Sequence, residues 1–105
     1  MQTADKITKI QDAIKHPGNE EMYYKLLEDM GDLKKNYSDY MTTEPINIGE
    51  ELNRVPEADY ELCTALLTAL LREDHFSNGS FQRRQRAGEV NMILERMLAV
   101  LSEKP

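Results

Sequence analysis

A chain of 105 residues has room for one hydrophobic core, so a single domain over residues 1–105 is the expectation. Its single cysteine, Cys63, excludes an internal disulfide, and with 40% apolar and 30% charged residues the fold must come from apolar residues sorted onto faces. The net charge of −6 argues against a general nucleic-acid binder, since phosphate contacts need a surplus of Lys and Arg on one surface. The most apolar run, Leu62 to Leu71, is far too short to cross a bilayer and is broken by Thr64 and Thr68. No leader-like segment opens the chain, so a cytoplasmic protein is expected.

Ile7, Ile10 and Ile14 recur at helical spacing from Thr3 to His16, and Pro17-Gly18 stops that helix. A second stripe of Tyr23, Leu26, Leu27, Met30, Leu33, Tyr37, Tyr40 and Met41 keeps phase to about Met41. Gly31 could bend or split this segment, but the unbroken phase favours one helix, with Asn19 as N-cap and Glu20 and Glu21 where the helix dipole favours them. Thr42 to Val55 breaks the pattern. Pro45 interrupts it, Ile46 and Ile48 are expected to anchor it, and Glu50 to Arg54 can form one short turn.

Pro56, suited to a first helical turn, is predicted to open the main helix, which runs to about Asp74. Its leucines leave a narrow polar strip of Glu61, Thr64, Thr68 and Arg72, the pattern of a buried element. Ser77-Asn78-Gly79 reads as a turn, Ser80 as the cap of a short helix to Ala87, and Gly88 as its end. Val90, Ile93, Leu94, Met97, Leu98 and Leu101 then line one face of a last helix, Glu89 to about Glu103. The predicted fold is all-α: a compact bundle of four to five helices around a buried central helix at about 56–74.

The run from Ala58 to Phe76, containing Leu70-Leu71-Arg72-Glu73-Asp74-His75-Phe76, has a recognisable pattern. With Gly79, Phe81, Gly88, Val90 and Ile93-Leu94-Glu95-Arg96-Met97, it resembles a family of uncharacterised helical domains from bacteria and their phages. The resemblance covers roughly residues 56–101. It implies a helical fold and a prokaryotic or phage source, and it implies no catalytic residues.

Chemistry-bearing residues are few. His16 sits at a helix end, where it can meet the last carbonyls. His75 beside Asp74 is the one arrangement suggestive of a general base, although helical neighbours diverge and no nucleophile accompanies it. Cys63 among leucines should be an inert buried thiol. No zinc spacing, phosphate loop or dinucleotide motif occurs, so no metal, no cofactor and no enzymatic activity are expected.

Two surface features remain. Gln82-Arg83-Arg84-Gln85-Arg86, with Arg72, gathers basic charge near one end, in a helix–turn–helix-like order that suits base edges and phosphates. Against this stands the brevity of that helix and the acidity of the rest. On the second helix Glu21, Glu28, Asp32 and Asp39, spaced by 7, 4 and 7 positions, would share one face. Such a face can imitate a phosphate backbone, or it is an ordinary solvated surface in which Lys25 and Lys35 pair with Glu21 and Asp39.

Tyr23, Tyr24, Tyr37 and Tyr40 suit a core or an interface, and an uncovered stripe would accept a partner or a second copy of the chain. The leading expectation is a non-enzymatic protein that binds another, basic protein. Its most concrete form is a phage or mobile-element inhibitor of a bacterial defence complex. The alternative is a small nucleic-acid-binding regulator using Arg83, Arg84 and Arg86.

Overall fold

The computed structural model describes residues 1–103. Helix α1 spans Thr3–Lys15 and turns one apolar stripe inward, with Ile10 and Ala13 buried and Ile7 and Ile14 packed beside them. Pro17 and Gly18 separate it from α2, Glu20–Met30. There Asn19 caps as expected: its Oδ1 accepts from the Met22 amide at 3.1 Å.

Gly31 does not merely bend the second helix; it ends it. The residue lies in the left-handed region at φ 73°, its amide donates to Glu28 O at 3.0 Å, and the Asp32 amide reaches back to Leu27 O at 2.9 Å. That pair of bonds is a Schellman closure, which satisfies terminal carbonyls only when the chain turns left-handed. The single helix predicted to Met41 is therefore corrected. A non-helical stretch follows α2, and Tyr37–Tyr40 form a separate 3-10 turn packed on the central helix. A Cβ at Gly31 would meet nothing within 4 Å, so Gly31→Ala isolates the backbone term. It is expected to cost about 1–2 kcal/mol, read as a lower urea midpoint at unchanged slope.

The connector carries structure of its own. Asn47 Oδ1 accepts from the Glu50 amide at 3.0 Å and starts α3, Ile48–Glu51. A 3-10 turn, Leu52–Glu57, continues from it and buries Leu52 and Val55. Of the two expected anchors, Ile48 packs against the core, whereas Ile46 is 39% exposed. Pro45 follows a cis peptide bond.

Pro56 falls inside the 3-10 turn and does not open the main helix. Ala58 is extended, and Asp59 supplies the cap, its Oδ1 accepting from the Leu62 amide at 2.8 Å. A carboxylate at the N-cap satisfies an amide that a proline at the first position leaves open, so the helix begins at the acid. This central helix, α4, runs Tyr60–Phe76 and is buried without interruption from Cys63 to Leu71.

Within the polar strip of α4 the two threonines are buried, whereas Glu61 is exposed. Thr64 Oγ1 donates to Glu61 O and Thr68 Oγ1 to Thr64 O, and the Thr68 oxygen also receives the Lys34 amide at 3.3 Å. The segment released by Gly31 thus lies along that strip and finds there a partner for one of its amides.

Helix α5, Ser80–Arg86, docks through Phe81, and α6, Glu89–Ser102, packs its apolar face on both α4 and α1. Ser80 was the expected cap but is the first helical residue. Its hydroxyl is buried and without a partner among the described residues. Asp74 caps instead, its Oδ1 accepting from the Gly79 and Phe81 amides at 3.1 and 3.2 Å. Among the described residues the result is an all-α bundle of four longer helices and two short ones, with α4 buried at its centre.

Candidate interaction cleft

The sequence places Glu21, Tyr24, Lys25 and Glu28 at spacings of 3, 4 and 7, one face of α2. Leu71, Asp74 and His75 share a face of α4 by the same rule. In the fold these two faces stand opposite each other and, with Glu20, line a cleft of about 510 Å3. Tyr24 and Leu71 give it an apolar floor, and four carboxylates against the single cation Lys25 make it acidic. A smaller depression of about 260 Å3, lined by Asn78, Gly79 and Gln82, shares Glu20 and Asp74 with it.

The predicted carboxylate row does not survive as a row. Glu21 and Glu28 stay exposed on α2 and line the cleft, and Asp39 is exposed on the 3-10 turn beyond the helix break. Asp32 is turned inward: Lys6 Nζ lies 2.9 Å from its Oδ2, and the Tyr60 hydroxyl donates to the same oxygen at 2.6 Å. Lys6 also lies 5.2 Å from the Tyr60 ring centroid, so this group ties α1, the end of α2 and the start of α4 together. Burial first, and then the bond and charge of Asp32, push the Tyr60 hydroxyl pKa up, keeping it protonated as the donor. Asp32 is a structural residue.

The i,i+4 pairs expected for Glu21–Lys25 and Lys35–Asp39 are not formed among the described residues. Five acids elsewhere are matched: Asp32 by Lys6, Glu61 by Lys34, Glu51 by Arg54, and Glu73 and Glu89 by Arg84. Glu20, Glu21 and Glu28 have no ion-pair or hydrogen-bond partner among the described residues. Three acids without a partner thus meet in one concavity.

The arginine helix divides in a different way. Arg84 is held by a two-pronged contact with Glu73, Nε and Nη2 at 3.0 and 2.9 Å, and its Nη1 meets Glu89 at 3.2 Å. Those hydrogen bonds, chiefly the ones to Glu73, raise the pKa of the guanidinium further and fix it between α4 and α6. Arg83 is exposed and donates to Ser77 Oγ at 3.3 Å, while Arg86 is exposed on the last turn of α5. The trio predicted as one basic surface thus retains two outward members.

His75 lines the cleft, which supplies the concavity a catalytic reading would need. Asp74, however, is committed to the Gly79 and Phe81 amides, and no hydrogen bond joins it to the His75 ring among the described residues. Burial raises the Cys63 pKa to about 12, so this thiol stays protonated inside the core. The tyrosines are dispersed. Tyr23 is fully buried, with its ring centroid 5.3 Å from that of Phe81 and its hydroxyl accepting from Gln85 Nε2 at 3.0 Å. Tyr24 lines the cleft, and Tyr37 and Tyr40 are half-buried in the 3-10 turn.

Sequence reasoning singled out Glu21, Glu28, Asp74 and His75 but not Glu20, Tyr24, Lys25 and Leu71 as members of one site. Each face was visible in its own helix. Which faces meet is decided by the packing of α2 on α4. Among the described residues no group of three or more His, Cys, Asp or Glu could hold a metal ion, and no helix is long and apolar enough to cross a membrane.

A family model described as "Family of unknown function (DUF6508)" matches residues 2–103. It covers α1 and α2 as well as the C-terminal half that carried the resemblance to an uncharacterised family. No curated protein and no solved structure matches the chain.

Proposed function

The chain belongs to this family of unknown function, and from its surface we propose that it is a non-enzymatic binding protein whose acid-lined cleft engages another protein. The observation that carries the reading is the combination in one concavity of Glu20, Glu21 and Glu28, all unmatched, with an apolar floor of Tyr24 and Leu71. Protein interfaces combine an apolar centre with a polar rim, and rim charge of one sign speeds and selects the encounter with its complement. The nucleic-acid alternative is left with Arg83 and Arg86, because Arg84 already holds two carboxylates. In its most specific form, the protein is an inhibitor carried by a phage or mobile element that occupies a basic part of a host defence complex.

The test is affinity capture of the tagged chain from its native host's lysate, beside a duplex-DNA gel shift with the same preparation. A stoichiometric protein partner, lost on Glu21→Lys with Glu28→Lys but kept on Arg83→Ala with Arg86→Ala, is the expected result. A salt-steep DNA shift that disappears in the arginine variant, with no protein captured, would overturn the proposal.

A further inference from the structure

Building on the binding-protein reading, we infer that the occupant of the α2–α4 cleft is a cationic amphipathic segment of its partner. It sets Lys or Arg side chains against Glu20, Glu21 and Glu28 and lays an apolar side chain on Tyr24 and Leu71.

Charge selects the class of ligand. Four carboxylates face one lysine around the cleft, so an anionic peptide or a nucleic acid would meet net repulsion there. A bare divalent ion is not called for, since no metal-holding group of acids exists among the described residues. A segment that is only charged would leave the apolar floor in water. One that is only apolar would strip water from the carboxylates without replacing it, which is unfavourable for ionised groups. Both requirements are met by a helix or strand with a basic edge and an apolar residue between its cations.

The volume, about 510 Å3, suits a few side chains and not a whole folded surface. One residue beyond His75, at the end of the same helix, Phe76 is 88% exposed and offers further apolar area outside the cleft.

The probe is a fluorescent 14-residue synthetic helix with Leu at helical spacing and Lys elsewhere, compared with its Lys→Glu counterpart. Binding is read by anisotropy and located by 15N amide shifts. The cationic peptide should bind, the acidic one should not, and shifts should fall on residues 20–28 and 71–79. Glu20→Gln, Glu21→Gln and Glu28→Gln together should weaken binding by about tenfold or more, each exposed pair contributing a few-fold.

A control removing three exposed carboxylates elsewhere, Glu44→Gln, Glu57→Gln and Glu95→Gln, should leave affinity within about twofold, as expected for charges outside the contact and screened by salt. Equal weakening by both triple variants would show attraction to net charge alone and overturn the assignment. So would shifts centred on α5, absence of binding, or sedimentation showing a second copy of the chain in the cleft. The lysate capture can succeed while this map fails, so the two proposals fall separately.

Discussion

Glu51→Ala should lower the stability of this domain by about 3 kcal/mol, because it removes a fully buried acceptor from the centre of a part-buried cluster of donors. In a domain of this size that corresponds to a melting temperature lower by about 12–24 °C. The Glu51 carboxylate receives the Thr42 and Thr43 amides at 2.9 and 2.8 Å, both threonine hydroxyls, and Arg54 Nη1 at 2.8 Å. Arg54 continues the network to Tyr40 O at 2.8 Å. The cluster pins the connector between the 3-10 turn and α3, where apolar anchors are sparse. Without the acid, two amides and a guanidinium lose their partner together.

The same group sets an acid limb. Burial alone would raise its pKa, but the bonds from Thr43, Arg54 and Thr42 outweigh it and hold the value at about 2, against an ordinary 4.5. A depressed carboxylate stabilises the fold above its unfolded pKa, and that contribution disappears as pH falls through the folded one. The difference in unfolding free energy between the wild type and Glu51→Gln should therefore be constant above about pH 4.5 and shrink towards pH 2. A difference that stays flat across that interval would show that the charge of Glu51 contributes nothing. Urea titrations of both proteins at several pH values provide the measurement.

Phe81→Ala is expected to have an effect of similar size, about 3–5 kcal/mol. On α5 only Ser80 and Phe81 are buried, so one ring supplies the apolar docking of a helix otherwise held by the polar contacts of Arg84 and Gln85. That ring packs on Tyr23 of α2, and the Phe81 amide is one of the two capped by Asp74. Truncating the side chain leaves a cavity between α2, α4 and α5 and loosens the turn bordering the cleft. Amide exchange along residues 80–86 should accelerate more than exchange in α4. Uniform acceleration across both helices would mean that α5 has no separate opening, and that its docking is not governed by Phe81. An Arg86→Ala substitution, at an exposed site with no hydrogen bond among the described residues, should change stability by no more than about 0.5 kcal/mol.

How far the sequence discloses this architecture differs from element to element. Helices α1, α4 and α6 are legible because their apolar residues recur at helical spacing, and that recurrence is also what packs them. The second helix misleads for a physical reason. Leu33, Tyr37 and Tyr40 keep the helical phase, but Leu33 lies on the non-helical segment whose Lys34 amide meets Thr68, the two tyrosines sit half-buried in the 3-10 turn, and Gly31 allows the reversal. Periodicity reports which side chains turn inward, not whether the backbone between them is helical.

The start of α4 is misplaced by four residues because Pro56 and Asp59 are both good openers, and the capping carboxylate prevails. Arg84 and Asp32 have no local signal at all. Their partners Glu73, Glu89, Lys6 and Tyr60 come from other helices, and nothing in either neighbourhood distinguishes them from solvated charges. The cleft lies between these cases: both of its walls are regular helical faces, and their meeting is tertiary.

The contact between α1 and α6 has a consequence for the newborn chain. Those helices are the first and last of the bundle, yet they pack directly on one another. During synthesis from the N-terminus, α1 emerges long before the surface that covers it. The part of α1 that α6 covers stays open until the ribosome has released most of α6. Joining such distant stretches also carries the largest loop-closure entropy in the domain, so the seam should form late. The amphipathic N-terminal helix is thus an unprotected apolar edge during translation, with its many charged neighbours, Lys6, Lys9, Asp5 and Asp12, keeping that edge apart from others of its kind.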